Sequence, residues 1–171
     1  MIALRLATRA DLPLLRHWEE QPHVKAASGS DAGDDHDWLA EWFPPLRGWL
    51  EMLIAEADGR PIGVVQIIDP AEDETHYWGK VEKGLRALDI WLGEPSDMGK
   101  GHGSEIMRQV LARCFADTAV KAVLLDPLVE NIRARAFYER LGFRPIERRM
   151  FGDDDCVVYR LDRHNAKLRV G

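Results

Sequence analysis

The sequence predicts an α+β (mixed α/β) fold, with a mixed central sheet of about seven strands and about four flanking helices. Strand-like, helix-like and strand-like segments follow one another between residues 85 and 125, which predicts a crossover whose two strands are parallel. Turn signals at Gly59 and Gly152 predict antiparallel hairpins in the same sheet. The length of 171 residues predicts a single domain over 1–171, because domains contain about 150 residues.

The N-terminal part begins with a predicted strand over 2–6, where apolar and other side chains alternate. Thr8 is placed to cap a helix over 12–18, in which apolar residues recur every third position. Residues 25–37 are small, acidic and glycine-bearing, and they predict a loop. Apolar residues then recur at spacings of three and four, which predicts a second amphipathic helix over 38–50 that is broken or turned at Pro44-Pro45.

Short apolar runs and glycine positions predict the remaining elements. Helices are predicted over 104–116, and over 132–141, where Gly142 ends the helix because glycine suits the left-handed position that follows. Residues 163–171 are predicted to be a frayed tail. The remaining strands are predicted over 52–55, 62–68, 85–92, 122–125, 144–149 and 157–161.

Composition and charge exclude several classes of protein. The 29 acidic and 23 basic side chains give a net charge of -6, which argues against binding to nucleic acids or to anionic membranes. Two cysteines, and six histidines without paired ligand spacing, predict neither a disulfide scaffold nor a metal site. Because the chain shows no signal-peptide pattern and no apolar run of about 18 residues, it is predicted to be soluble and cytoplasmic.

A glycine-rich segment, residues 97–104, lies between a predicted strand and a predicted helix. Its glycines allow several peptide N–H groups to converge on one anion, and the N-terminus of the following helix adds partial positive charge. Lys100 adds a full positive charge. The spacing matches neither a Walker A loop nor a dinucleotide-binding fingerprint. The segment therefore indicates a phosphate or pyrophosphate site, with a plain strand–helix turn as the alternative.

A second segment makes a family recognisable. Residues 131–143, Asn-Ile-Arg-Ala-Arg-Ala-Phe-Tyr-Glu-Arg-Leu-Gly-Phe, resemble the NxxAxxxYexxGF signature of the GNAT acyl-CoA N-acyltransferases, and they follow the glycine-rich segment in the usual order. Residues 4–8 and 59–63 also resemble that family, so that the resemblance covers roughly residues 2–162. It implies the GNAT fold, in which the parallel strand pair splays apart.

Within that family the chain is most similar to aminoglycoside 6'-N-acetyltransferases and to siderophore-type acyltransferases. The aminoglycoside enzymes commonly have a tryptophan pair where this chain has Ala26-Ala27, which leaves the acceptor open unless Trp38, Trp42 or Trp78 forms the aromatic wall. Met98 stands where many members have Gln or Arg. The segments that carry the similarity are Gly84–Asp89, Met98–Gly103, Asp126-Pro127 and His23-Val24.

The resemblance implies that an acetyl group moves from acetyl-CoA to a primary amine by direct attack within a ternary complex, without a metal. It also implies that Asp89 binds and deprotonates the amine. The residues favour the same role, because strand alternation puts Asp89 on the face opposite Leu88 and Ile90, and burial would raise its pKa towards that of a useful base. A structural, hydrogen-bonding aspartate is the alternative.

The resemblance implies that Tyr138 is the general acid that protonates the coenzyme A sulfur, whereas periodicity alone fits a core aromatic residue. Asn131 caps the helix or contacts pantetheine, and the two roles are compatible. Arg135 contacts the adenosine phosphates or belongs to a solvated basic face. The residues that the resemblance assigns to acetyl-CoA are Ile90, Trp91, Leu92, Met98, Gly99, Lys100, Gly101, His102, Gly103, Ser104, Asn131 and Arg135.

For the acceptor, the resemblance implies that Asp126 contacts a second ammonium group and that His23 lies at the substrate; an Asp-Pro turn is the alternative for Asp126. Acidic loops at 31–37 and 69–74 favour a small polycationic acceptor such as an aminoglycoside, whose acetylation would confer antibiotic resistance. The alternatives are a siderophore-type or peptide N-terminal acyltransferase, and a non-catalytic coenzyme A-binding module. A monomer or a homodimer is expected.

Overall fold

The computed structural model describes residues 1–29 and 48–166, which form a seven-stranded sheet and four α-helices. The strand order is β1-β2-β3-β4-β5-β7-β6, and β4 and β5 are parallel. The strands are β1 (Ile2–Leu6), β2 (Leu50–Ala57), β3 (Arg60–Ile68), β4 (Leu85–Leu92), β5 (Ala122–Leu125), β6 (Arg144–Phe151) and β7 (Asp154–Asp162). The helices are α1 (Leu12–Glu19), α2 (Pro22–Ser28), α3 (His102–Ala116) and α4 (Ile132–Arg140).

The predicted mixed sheet is confirmed, and β1, β4 and β5 have the predicted bounds. The other predicted strands and helices within the described residues differ by up to about three residues at their ends, as fraying ends commonly do. Gly142 has a φ of +98°, which confirms that a left-handed residue ends α4. The N-cap position of α1 is Asp11 and not the predicted Thr8, which instead precedes a short 3-10 turn, Arg9–Asp11, that leads into α1.

Three expectations are corrected. Residues 25–28 belong to α2 and not to a loop; Pro22 favours a helix start, but only Val24 is buried, so that no apolar period marks the helix. Leu50, which was expected to be helical, begins β2. Arg163–Asn165 form a 3-10 helix in the tail that was expected to fray. Predictions for 30–47 and 167–171 lie outside the described residues.

The parallel pairing involves only the first part of β4. Its register runs from Leu85 opposite Ala122 to Ala87 opposite Leu124, whereas β4 continues to Leu92. After β5 the chain continues alongside β7, since Leu128 forms an isolated bridge with Cys156 and the Val157 N–H donates to the Pro127 carbonyl at 3.0 Å. The splay that the resemblance implies stays a prediction.

The chain divides into two compact units. Unit 1 consists of Met1–Ile67 and Asp89–Met107, and unit 2 consists of Ile68–Leu88 and Arg108–Gly171. The single domain that the length predicts stays a prediction. No described helix is long and apolar enough to cross a membrane.

Unit 1 has a hydrophobic core between α1 and the first strands. Leu15 and Trp18 of α1 are buried together with residues of β2 and β3, and Trp91 of β4 packs against the same cluster. Burial of this apolar surface holds α1 on the sheet, because each fully buried large apolar side chain contributes about 1.5–3 kcal/mol. The other buried members of the cluster are Ala7, Met52, Ile54 and Val64.

Candidate functional site

In unit 1, the segment that leads into α3 and includes its first three residues (residues 98–104, called the glycine loop from here on) has a backbone conformation that its glycines permit. Gly99 and Gly101 have φ values of +75° and +82°, and a Cβ at either would meet nothing within 4 Å. α3 begins at His102, and the first N–H groups of a helix have no acceptor within it. The glycine loop therefore presents backbone donors and the positive end of a helix, which together can bind an anion.

A buried carboxylate directly precedes the glycine loop. Asp97 is 1% exposed, and the Arg60 guanidinium donates to both of its carboxylate oxygens, at 2.6 and 3.0 Å. These hydrogen bonds hold the pKa of Asp97 below its usual value, although burial acts in the opposite direction. Arg60 and Asp97 are 37 positions apart, so no local sequence pattern indicates this pair.

The end of β4 is held by α1 and α2. His23 Nε2–H donates to the Leu92 carbonyl at 2.8 Å, and the Gly93 N–H donates to the Ile62 carbonyl at 2.9 Å. A Cβ on Gly93 would lie 2.1 Å from the indole of Trp18, so the two residues are in close contact. The structure thus gives His23 a role in positioning the backbone of β4, whereas its contact with the substrate stays a prediction.

Asp89 lies in the half of β4 that belongs to unit 1, and its side chain is exposed. The expectation that this residue is buried is therefore wrong, and the argument for a base from burial no longer holds. The alternation of buried and exposed residues along β4 is interrupted at Leu88, because Ala87 and Leu88 are both buried. An exposed carboxylate can still accept a hydrogen bond from a cationic ligand, and the catalytic role of Asp89 stays a prediction.

In unit 2, the ring of Tyr138 is fixed by aromatic neighbours. The residue is 8% exposed, and its ring centroid lies 5.5 Å from that of Phe137, 6.1 Å from that of Phe143 and 6.5 Å from that of Tyr159. The predicted aromatic packing on α4 is confirmed. Such packing restricts the orientation of the ring and therefore of its hydroxyl group, whose role as an acid stays a prediction.

The start of α4 confirms a predicted cap. Asn131 Oδ1 accepts the Ala134 N–H at 3.2 Å, as an N-cap side chain does. Arg135 donates through Nη1 to the Val129 carbonyl at 2.8 Å and through Nε to the Tyr159 hydroxyl at 3.3 Å. The guanidinium of Arg135 thus has partners within unit 2, and its contact with adenosine phosphates stays a prediction, as does that of Asn131 with pantetheine.

Asp126 lies beside a cluster of three aromatic residues, of which Tyr77 is exposed and Trp78 and Phe151 are buried, and no local sequence pattern indicates this cluster. The Tyr77 hydroxyl donates to Asp126 Oδ2 at 2.6 Å, and the 45%-exposed Tyr77 stacks on Phe151 at 4.7 Å. Trp78 meets Phe151 edge-on at 5.1 Å, and the Arg149 guanidinium lies 4.5 Å from the Phe151 ring centroid. A carboxylate next to an exposed ring suits a cationic ligand with apolar ring faces.

The cysteines lie in buried positions. Burial, together with the charges of Asp126, Asp154 and Asp155, raises the pKa of Cys156 to about 12. Its thiol is therefore protonated at neutral pH, and Cys156 does not supply a thiolate nucleophile. Among the described residues, no group of three His, Cys, Asp or Glu side chains is arranged to hold a metal ion.

Residues 7–151 match the family described as acetyltransferase (GNAT) domain. The aminoglycoside N(6')-acetyltransferase type 1 of Klebsiella pneumoniae is 29% identical over 147 residues, which cover 83% of this chain and 73% of that enzyme. The lysine N-acyltransferase MbtK of Mycolicibacterium paratuberculosis is 27% identical over 177 residues, which cover 94% of this chain and 73% of that protein.

Solved structures of the aminoglycoside acetyltransferase AAC(6')-Ib share this fold. A complex with ribostamycin and coenzyme A and another with acetyl-CoA each give a TM-score of 0.87 at 26% identity. Each alignment covers 99% of this chain and 98% of the other chain. The resemblance based on the glycine loop and on residues 131–143 is confirmed: the chain belongs to the GNAT acetyltransferase domain family.

Proposed function

We propose that this protein transfers an acetyl group from acetyl-CoA to a primary amine of a small polycationic acceptor, with the 6'-amine of an aminoglycoside as the favoured target. The observation that carries the proposal is the glycine loop, whose two left-handed glycines precede α3 in a chain that aligns over 99% of its length with an enzyme solved with coenzyme A and ribostamycin. We propose that the protein works in the cytoplasm, as a monomer or a homodimer, and that it confers resistance to aminoglycosides.

The glycine loop would bind the diphosphate of acetyl-CoA. The space in front of Gly99 and Gly101 lets phosphate oxygens approach the backbone N–H groups, and Lys100 is exposed and adds charge. The pantetheine arm would pair with the backbone of Ile90–Leu92 like an added strand. The contacts of His23 and Trp18 at the end of β4 support this backbone in a fixed position.

The surface around Asp126 suits the acceptor. An aminoglycoside carries several ammonium groups on rings with apolar faces, and Asp126 next to the exposed ring of Tyr77 offers a partner for both. The Tyr77 hydroxyl donates to Asp126 Oδ2 at 2.6 Å, and a carboxylate can accept several hydrogen bonds, including those of an ammonium group. In unit 1, Asp89 supplies a further exposed carboxylate.

In the proposed reaction the acceptor amine attacks the thioester carbonyl, so that a C–N bond forms and the C–S bond breaks. Asp89 takes a proton from the amine, directly or through water, and the Tyr138 hydroxyl gives a proton to the leaving sulfur. No acyl-enzyme is needed, which agrees with the raised pKa of Cys156. The products are the N-acetylated amine and free coenzyme A.

The test is a thiol-release assay with acetyl-CoA and a panel of kanamycin-type aminoglycosides, spermidine, lysine and short peptides. We expect the fastest turnover with aminoglycosides and, by NMR, acetylation of the 6'-amine. Turnover confined to peptides would exclude the proposed acceptor. Coenzyme A binding without turnover of any acceptor would indicate the non-catalytic module.

Asp89→Asn tests the base in the same assay, with Asp58→Asn as a matched control because Asp58 is also an exposed aspartate of unit 1. General-base catalysis contributes about 10²–10⁴-fold, so Asp89→Asn should lower kcat at least about a hundredfold and leave acetyl-CoA binding unchanged. Asp58→Asn should behave as wild type. Equal kcat values for wild type and Asp89→Asn from about pH 6 to 9 would remove Asp89 from the mechanism.

A second candidate function is acyl transfer to lysine, as in siderophore-type acyltransferases, and it is favoured by the similarity to the lysine N-acyltransferase MbtK. Ala26-Ala27, in place of the tryptophan pair, also leaves room for a different acceptor. Extending the assay to lysine with longer acyl-CoA thioesters separates the two functions. Faster turnover of lysine than of every aminoglycoside would favour this second candidate.

A further inference from the structure

An ion pair in unit 1 lies at the start of the glycine loop without belonging to it. Asp97 has the lowest exposure of the charged side chains that the structure describes, and the Arg60 guanidinium donates to both of its oxygens. Arg60 is the first residue of β3, and its side chain is mostly exposed. The pair therefore links the start of β3 to a buried carboxylate that directly precedes Met98 in the sequence.

The backbone around Asp97 forms the turn that leads into the glycine loop. The Asp97 N–H donates to the Glu94 carbonyl at 3.0 Å, and the Met98 N–H donates to the Pro95 carbonyl at 3.1 Å. Met98 is then followed by the left-handed Gly99. Two hydrogen bonds from Arg60 hold the Asp97 side chain. They therefore also fix the turn that sets the orientation of the first amide groups of the glycine loop.

The charge of Asp97 poses a problem for a loop that binds an anion. A carboxylate next to the glycine loop repels a diphosphate bound there, and the repulsion depends on the distance between the charges and on the ionic strength. The positive charge of Lys100, which belongs to the glycine loop, also lowers the pKa of Asp97, so the carboxylate and the loop interact electrostatically. Arg60 supplies the charge that compensates the carboxylate.

We propose that Arg60 is a positioning residue for acetyl-CoA: by binding and neutralising Asp97, it fixes the start of the glycine loop and keeps the buried carboxylate from repelling the diphosphate. This inference rests on the proposed function of the glycine loop and adds a residue from a different strand to it. It predicts that the loss of Arg60 weakens nucleotide binding while the acceptor amine is bound as before.

Unit 1 also contains a matched control pair. Arg5 donates through Nη1 and Nη2 to the two oxygens of Asp11, both at 2.8 Å, and Asp11 is 7% exposed. Asp11 also accepts the Thr8 N–H at 2.8 Å, so that this pair stabilises the turn before α1. Arg5→Gln and Arg60→Gln therefore each break a two-point Arg–Asp pair with a buried carboxylate, but only Arg60→Gln breaks the one next to the glycine loop.

The experiment is calorimetric titration of wild type, R60Q and R5Q with coenzyme A, together with thermal unfolding of each protein. We expect R60Q to raise Kd about tenfold and R5Q to change it less than about twofold, while both lower Tm. Raising the salt from about 0.02 to 0.3 M should reduce the effect of R60Q, because salt screens the repulsion. A wild-type Kd for R60Q, or equal effects of R60Q and R5Q, would overturn the inference.

The double variant R60Q/D97N removes both charges and serves also where R60Q fails to fold. It should bind coenzyme A more tightly than R60Q does. If R60Q cannot be purified, the double variant should bind coenzyme A with a Kd within about threefold of that of wild type. A double variant that meets neither criterion overturns the inference. In steady-state kinetics, R60Q should raise KM for acetyl-CoA and leave KM for the amine unchanged. KM for S-acetylpantetheine should also be unchanged, because this thioester lacks the diphosphate. An equal rise in KM for S-acetylpantetheine would also overturn the inference. If wild type itself binds no coenzyme A, the proposed function fails, and this inference fails with it.

Discussion

The two units differ in which part of the chain is suited to contact a ligand. In unit 1 the groups proposed to contact a ligand are backbone groups of the glycine loop and of the end of β4, where His23 donates to the Leu92 carbonyl and Arg60 binds Asp97. In unit 2 the candidate groups are side chains, Tyr138 and Asp126, which are fixed by aromatic packing and a hydrogen bond.

This difference predicts how substitutions act. Where the backbone binds, a side-chain change acts indirectly, through the stability and geometry of the segment that the side chain supports. Where a side chain acts, removal of a single atom can change the rate and leave the fold intact. Conservative variants can therefore distinguish a side chain that supports the backbone from a side chain that acts on the ligand directly.

Removal of the Tyr138 hydroxyl should have the largest effect. Tyr138→Phe keeps a ring that packs within 6.1 Å of Phe143, so that the fold is preserved, but it removes the proposed proton donor. We expect kcat to fall about a hundredfold, or about 2.7 kcal/mol, while KM for acetyl-CoA changes little. Steady-state kinetics with a thiol-release readout measures both constants.

Tyr159→Phe is the matched control, since it removes the hydroxyl of a neighbouring buried tyrosine, which donates to Glu139 at 2.7 Å. Its loss should cost about 1 kcal/mol of stability and leave kcat nearly unchanged. A kcat of wild-type size in Tyr138→Phe would restrict that residue to packing, and it would weaken the contrast between the units.

The second-largest effect is expected for a variant that disturbs the backbone at the end of β4 in unit 1. Gly93→Ala puts a Cβ about 2.1 Å from the indole of Trp18, which is 1% exposed and cannot move aside freely. We expect a loss of about 2 kcal/mol in the free energy of unfolding, as overpacking typically costs, together with weaker coenzyme A binding. Urea denaturation and calorimetric titration measure the two quantities.

Gly48→Ala is the control within the same unit, because a Cβ there meets nothing within 4 Å. Its stability should lie within about 0.5 kcal/mol of wild type. If Gly93→Ala were as stable as Gly48→Ala, the contact between Trp18 and the end of β4 would not determine the position of this backbone.

The sequence predicts the fold well where the signal is local. The bounds of β4 and β5 are correct because short apolar runs end at glycine or polar residues. The helix α2 is missed because Val24 is its only buried residue, so that no apolar period distinguishes it from a loop. The burial of Asp89 is wrongly predicted because alternation is interrupted at Leu88, and the exposure of a strand depends on its tertiary neighbours.

The site is predictable only in part, for a related reason. The glycine loop and Asn131 carry their signal in contiguous residues, and their geometry agrees with it. Arg60 pairs with Asp97 across 37 positions, and Tyr77 reaches a carboxylate 49 positions away, so that neither pairing leaves a pattern in the sequence. Supporting side chains in particular are determined by tertiary contacts, which a linear motif does not encode.

The smallest expected effect belongs to Tyr77 in unit 2. Tyr77→Phe keeps the ring that stacks on Phe151 at 4.7 Å but removes the hydrogen bond to Asp126, whose carboxylate is then less well oriented. We expect KM for a kanamycin-type acceptor to rise about threefold, or about 0.7 kcal/mol, with kcat and KM for acetyl-CoA unchanged.

Tyr77→Leu, which also removes the ring, should raise the same KM further, because the stacking surface for the acceptor is lost as well. If neither variant changes KM for any amine, the surface around Asp126 does not bind the acceptor, and the exposed Asp89 becomes the remaining candidate among the predicted acidic ligands. If Tyr77→Phe changes KM for acetyl-CoA instead, the assignment of nucleotide contacts to the glycine loop and the end of β4 is incomplete. Either result would contradict the proposal that backbone groups bind the nucleotide and side chains bind the amine.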